Sequence, residues 1–299
     1  MNNRRLKEYI LEASIHTVSV RSNYSEALQA MDNKIVKTHT KLDSETGELR
    51  SHSIINPHYY NNEEIMSYSL YENTMSAIMK EAGVSDYEYD RIDIRLDRYE
   101  DDYLEYFKLN SLLINLFAME YRFKNNEPTE SAGHRTRKKC SIFARNRTMG
   151  IEYYDKNKES EGKYPCKARL EFRAMRLEGK TPLEVVTLWF KRLDRVVRHY
   201  EKVQDSCNAE LLKYYKDWVK SNCPKRKRND MLLAFVRENK DCFYTAKQLE
   251  NFCVMCGVRN PKSRAKNLKQ SCNIEFFSQK DINTYISNIK GFIRLYMNK

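Results

Sequence analysis

Tyr154 lies in the segment Gly150-Ile-Glu-Tyr-Tyr154-Asp-Lys156, where a period of two groups it with Glu152 and Lys156 and leaves Tyr153 with Ile151. Two further segments alternate in the same way. In Arg91-Ile-Asp93-Ile-Arg-Leu-Asp97, the apolar Ile92, Ile94 and Leu96 lie opposite Asp93, Arg95 and Asp97; in Ala168 to Arg173, Leu170 and Phe172 lie opposite Arg169, Glu171 and Arg173. Three strands thus offer an apolar face for a helical cover and a second face of acids, bases and a tyrosine. Those types suit cleavage of a phosphodiester through a covalent intermediate, which needs a nucleophile, a divalent cation and cationic side chains for the remaining phosphate charge. Tyrosine can be the nucleophile, carboxylates suit magnesium or manganese, and Lys or Arg complete the set. A solvated sheet face with cross-strand ion pairs shows the same alternation, so the pattern by itself leaves both readings open.

Such side chains need a sheet with a covered back, and the surrounding sequence predicts one. Ile15 to Val20 has strand propensity, and a helix is expected from Asn62, as N-cap, to Ala82, with Gly83 in the left-handed position that ends it. The strand Arg91 to Arg98 follows, then a helix over Tyr103 to Tyr121, with Asp101, Asp102 and Glu105 at its positive end and a polar break from Lys124 to Gly133. Lys139 to Ala144, a basic turn at Arg145 and Arg147, and Ile151 to Tyr154 read as a hairpin; Lys167 to Met175 reads as another strand. Thr181-Pro-Leu-Glu184 is a capping box with proline at the first helical position. The helix that it opens carries Val186, Trp189, Leu193, Val196, Val197, Tyr200 and Val203 on one stripe and is expected to end near Cys207. The expected class for residues 1 to 205 is α+β, an antiparallel or mixed sheet covered by helices.

Charge divides the chain at the same place. Of the 299 residues, those from Ser206 to Lys299 hold nineteen Lys or Arg against eight Asp or Glu, which leaves thirty-four against thirty-three for the first 205. A near-neutral region followed by a basic one reads as a working domain, 1 to 205, and a polyanion-binding domain, 206 to 299. In the latter, Lys225 to Arg228 is an exposed basic link. Thr245-Ala-Lys-Gln248 is a second capping box, opening a helix that stops at Gly257, and a basic helix follows from Ser263 to Gln270. These have the proportions of a helix-turn-helix or a winged helix, in which Arg259, Lys262, Arg264, Lys266 and Lys269 would contact DNA. Cys253 and Cys256, with Cys242 and Cys272, can be drawn as a zinc site, but both face inward with Leu249 and Phe252, as small buried thiols do. No apolar run approaches the length of about eighteen residues that marks a membrane span. The start, interrupted by Glu8 and Glu12, has no secretory pattern, so a cytoplasmic location with reduced thiols is expected. His16 beside the first strand is a candidate ligand or base, and no His-x-His triplet is present.

The order of these elements resembles the replication initiation factors of Gram-positive rolling-circle plasmids, integrative elements and filamentous phages. Arg91-Ile-Asp93-Ile-Arg-Leu-Asp97 resembles that family's first motif, Ile151-Glu-Tyr-Tyr154-Asp155-Lys156-Asn-Lys-Glu159 the end of its hairpin motif, and Arg169-Leu-Glu171-Phe-Arg-Ala its third, across about 160 residues from Ile15 to Met175. Ser141 to Arg147 departs from the family's glycine-serine turn, and Glu152 stands where an arginine is usual. The resemblance implies nicking of one DNA strand at an origin, with Tyr154 as nucleophile, Lys156 beside it, and Asp93, Glu171 and Asp97 as ligands of magnesium or manganese. Arg145, Arg147, Arg169 and Arg173 would hold phosphate. The implied partners are double-stranded origin DNA and the single strand at the nick, with room for a host helicase and a homodimer and none for a membrane. Two alternatives share the motifs: a DNA-binding regulator of the same fold that does not cleave, and a conjugative relaxase.

Overall fold

The computed structural model of the chain describes residues 12–44, 46–63, 66–99, 103–121, 141–222 and 228–299. Seven strands form one sheet: β1 (Glu12–Asn23), β2 (Val36–Leu42), β3 (Leu49–Ile55), β4 (Tyr87–Arg98), β5 (Ser141–Arg145), β6 (Met149–Asp155) and β7 (Ala168–Met175). Their order is β2-β3-β1-β4-β7-β6-β5, and every neighbouring pair is antiparallel. The described helices are α1 (Glu26–Ala30), α2 (Pro57–Asn61), α3 (Tyr68–Glu81), α4 (Tyr103–Tyr121), α5 (Lys156–Glu159), α6 (Pro182–Val196), α7 (Val203–Asn222), α8 (Arg228–Glu238), α9 (Ala246–Met255), α10 (Pro261–Cys272) and α11 (Gln279–Met297). The molecule is mixed α+β, as the alternation predicts.

Period-two patterning decides which face of the sheet is covered. Ile15, Val18, Ile92, Ile94, Leu96, Ile151, Tyr153, Leu170 and Phe172 all lie on one side and are buried. Apolar stripes of α3, α4, α6 and α11 close over them; Trp189 of α6 is fully buried with its ring 5.0 Å from Phe172. Burying such an aromatic stabilises the layer by about 3 kcal/mol relative to leaving it in water. The polar face of β4, β6 and β7 is left for chemistry.

Several local expectations hold. The hairpin β5–β6 pairs Ser141 with Tyr154 and Arg145 with Gly150. Gly83 takes φ +65° after α3, and both bonds of the Thr181–Glu184 capping box are present. Others are corrected. The helix expected to begin at Asn62 begins at Tyr68: Pro57 opens a separate helix, α2, that Asn62 ends in the left-handed conformation, and Ser67 caps α3 by accepting from the Leu70 amide. The helix expected to reach Cys207 stops at Val196 and tightens into a 3-10 turn, Val197–His199, where His199 pairs with Glu120 at the end of α4; α7 then starts afresh. Thr245 caps α9, but the Gln248 side chain accepts from the Tyr244 amide rather than the cap's own. The acids at Asp101 and Asp102, the break from Lys124 to Gly133, the strand start at Lys139 and the link at Lys225 lie outside the described residues.

A second core gathers Leu211 to Ile274 from α7 to α10, around Phe235 and Phe252 stacked 5.8 Å apart. It does not take in all of residues 206–299. The α11 stripe of Ile282, Tyr285, Ile286, Ile289, Ile293 and Tyr296 returns to the first core, and Tyr285 donates 2.7 Å to Asn110 of α4. Tyr244, next in sequence to Phe243 of the second core, is itself buried in the first, where Ser111 and Asn115 of α4 meet its hydroxyl at 2.7 and 3.0 Å. The described residues from Val203 onward contain no strand, and so no wing.

Candidate active site

The sheet register assembles the polar residues in rows across strands β5, β6, β7, β4 and β1. One row is Ser141, Tyr154, Arg169, Asp97 and Glu12; the next is Phe143, Glu152, Glu171, Arg95 and Ser14; the third is Arg145, Gly150, Arg173, Asp93 and Thr17. Tyr154, Asp93, Asp97, Glu171, Arg169 and Arg173 therefore share one face, with Arg145 at its edge. Arg147 is exposed in the hairpin turn, which Asn146 holds by accepting from the Thr148 and Met149 amides. Lys156 is the first residue of α5, where Asp155 is the N-cap; its ammonium bonds Glu159 at 2.7 Å and lies 5.9 Å from the Tyr154 ring.

Strand parity separates the two adjacent tyrosines. Tyr153 is buried opposite Leu170, whereas the Tyr154 hydroxyl donates 3.4 Å to Glu171 Oε2 and faces Arg169 Nη1 at 3.5 Å. Burial and the nearby Glu171 charge push the Tyr154 hydroxyl well above the usual tyrosine range, against the pull of Arg169. The phenol is thus held protonated, with its proton aimed at a carboxylate. That geometry can pass a proton to Glu171 as the phenol oxygen attacks.

Guanidinium groups close the carboxylates. Asp97 takes two bonds from Arg169, at 2.6 and 3.0 Å, and Arg95 lies 3.3 Å away. Asp93 accepts from Arg91 and from Arg173, and Arg173 also bonds Glu171 at 2.5 Å. Burial, with help from Glu171, still raises Asp93 to about 6 against the opposing arginines. Glu152, directly opposite Glu171, is raised by burial and by that same charge. Among the described residues no three His, Cys, Asp or Glu side chains are arranged to hold a metal. Asp93, Glu171 and Asp97 as positioned do not fit a magnesium or manganese ion, because arginine nitrogens and, at Glu171 Oε2, the Tyr154 hydroxyl occupy the oxygens that a cation would take.

Two histidines and an arginine complete this face. His16 sits at a β-bulge, where the β1–β4 register slips between Ile15 and Thr17, and bulges re-aim side chains in this way. Its Nδ1 is 3.4 Å from Arg95 Nη1, and its ring is 5.6 Å from that of His58. His58, from α2, contacts the Ile15 and Glu63 carbonyls; burial and Arg95 lower it to about 4. Burial first, then Arg95, Arg169, His58 and Lys156, lower His16 well below the ordinary histidine value. The sequence carried one signal for the bulge: Ile15 and Val18, both core, are separated by two residues rather than one. Nothing local pointed to His58; alternation placed Arg95 on this face but not beside the two histidines.

The other predicted DNA contacts belong to the second core. Arg259, Lys262 and Lys266 are exposed at and beyond the α9–α10 turn, and Arg264 is half-buried. Lys262, Lys266 and Lys269 line a cleft of about 680 Å³ together with Phe276, over whose ring Lys269 sits at 5.1 Å. Cys242, Cys253, Cys256 and Cys272 are buried and in no disulfide, and burial raises Cys253 to about 11. No helix among the described residues is long and apolar enough to cross a membrane.

No protein-family model matches the chain, and no curated protein matches it. Among solved structures, a rolling circle replication initiator protein from Geobacillus stearothermophilus aligns with 55% of this chain and 74% of its own, at 11% identity and a TM-score of 0.30. A likeness that slight leaves function to be argued from the site.

Proposed function

We propose that this protein nicks and rejoins one strand of DNA at a replication origin, with Tyr154 as the nucleophile. The observation that carries the reading is the Tyr154 hydroxyl, held between Glu171, which can accept its proton, and Arg169, which can face the developing phosphate charge. As the phenol oxygen bonds phosphorus, the bond from phosphorus to the departing sugar oxygen breaks; the phenolic proton passes to Glu171 and, relayed through water, ends on that sugar oxygen. The phosphotyrosyl bond conserves the energy of the broken linkage, so the reverse attack reseals the strand. Arg173 and Lys156, with Arg145 and Arg147 at the hairpin edge, supply charge for the flanking phosphates. The basic face of α10 would hold duplex origin DNA, and a host helicase and a second copy of the chain are the further partners of this reading. Magnesium or manganese is expected from the family resemblance alone, since Asp93, Asp97 and Glu171 as positioned are closed to it. A conjugative relaxase would use the same chemistry.

The guanidinium closure of Asp93, Asp97 and Glu171 favours a second reading, a DNA-binding regulator that does not cleave. Supercoiled plasmid carrying the protein's own replicon separates the two. With magnesium or manganese supplied, open circles support nicking, whereas retarded but fully supercoiled plasmid supports the regulator.

A further inference from the structure

The hydroxyls of Tyr59 and Tyr164 are 3.1 Å apart, and the Tyr164 ring shares the Lys156 ammonium with the ring of Tyr154. Tyr59 and Tyr164 come from separate segments. Tyr59 follows His58 on α2, and because His58 is buried against the Ile15 carbonyl, the helix is fixed with Tyr59 turned outward, 43% exposed. Tyr164 lies in the loop from α5 to β7, where its amide donates to Ser160 Oγ at 3.3 Å. The Lys156 ammonium sits 4.5 Å from the Tyr164 ring centre and 5.9 Å from that of Tyr154. Tyr154, Lys156, Tyr164 and Tyr59 therefore form a continuous series from the buried nucleophile to the surface. Arg169 and Arg95 act electrostatically on Tyr164, so the same lip borders the cationic part of the face.

We propose that Tyr59 and Tyr164 form a stacking lip for the unpaired bases beside the phosphate presented to Tyr154, with Lys156 holding the intervening phosphate. The inference deepens the nicking reading and rests on it. Aromatic rings interleaved with cations are how proteins grip single strands: each base offers a π-face to a ring while the backbone follows the positive groups. Bases of an intact duplex already stack on each other, so the occupant is a single strand. The two hydroxyls meet across two chain segments, which brings both rings to one place on the surface.

The test measures binding of fluorescein-labelled oligothymidylate, and of a labelled duplex, to the full-length protein and to Tyr59→Leu, Tyr164→Leu, Tyr59→Phe and Tyr164→Phe. Thermal melting confirms that each variant is folded. The Leu variants should bind the single strand about tenfold more weakly, since loss of one stacked base is worth at least a factor of that order. The Phe variants should stay within about twofold of the parent, because the ring and not the hydroxyl carries stacking. Duplex affinity should be unchanged in all four. Undiminished single-strand binding by both Leu variants overturns the proposal, as do equal losses in the Phe and Leu variants or no binding of oligothymidylate by the parent. A selective loss in the Leu variants supports the lip even where the parent forms no covalent adduct, a result that would contradict the nicking reading alone. An adduct in the parent with unaffected Leu variants contradicts only the lip.

Discussion

A phenol hydrogen-bonded to Glu171 and faced by Arg169 is protonated at neutral pH, and its reactivity depends on how firmly those two partners are held. Arg169 is fixed by its paired bonds to Asp97, both side chains being almost wholly buried. Removing one partner of a buried pair strands the other's charge, so Arg169→Met should lower stability to urea by about 3 kcal/mol; a loss below about 1 kcal/mol would show that Arg95 alone satisfies Asp97. His58 gives a pH signature. The unfolded chain protonates it near 6.5 and the folded one only near 4, so folded stability is intact above pH 6.5 and declines as pH falls through that window. His58→Gln should flatten the decline, and an unchanged profile in thermal melts would assign acid sensitivity elsewhere. Which tyrosine faces the site was legible because side chains alternate along a strand. The closure of Asp93 by Arg91 and Arg173 was not, since a strand pattern shows that a charge lies on a face but not which rotamer it takes.

Elements were legible where their start signals are local. The Thr181 box predicted α6 because both of its bonds lie within four residues. The Asn62 start failed because asparagine serves as readily to end a helix in the left-handed conformation as to begin one, and Pro57 five residues earlier opened the helix that it ends. In the basic region, Lys262 and Lys266 are exposed on α10, while Lys290 of α11 is held by Asp194 at 2.8 Å. Changing Lys262 and Lys266 to Ala should weaken duplex binding and reduce the slope of log affinity against log salt by about 0.9 for each phosphate that is no longer neutralised. Lys290→Ala should leave the slope unchanged, and an equal effect from both changes would remove α10 from the DNA interface.

At the scale of the molecule, the charge asymmetry suggested a division near residue 205 that the packing does not follow at its far end. The α11 stripe has helical period and no strong charge bias, so composition assigned it to the basic region, whereas shape complementarity with β1 and α4 places it in the first core. Deleting residues 279–299 removes six large buried side chains, uncovers the apolar surface beneath them and should abolish cooperative unfolding of the first core, followed by circular dichroism; a fragment spanning 203–277, which retains the second core, should still bind duplex DNA. The proposed chemistry stands on one covalent bond. Labelled single-stranded origin oligonucleotide, incubated with the full chain and a divalent cation and run on a denaturing gel, should yield a protein–DNA adduct that peptide mapping places on Tyr154. The adduct should be absent from Tyr154→Phe and retained in Tyr153→Phe, whose ring fills nearly the same core volume. An adduct on Tyr153, or none in the parent with its own origin sequence supplied, would contradict that chemistry.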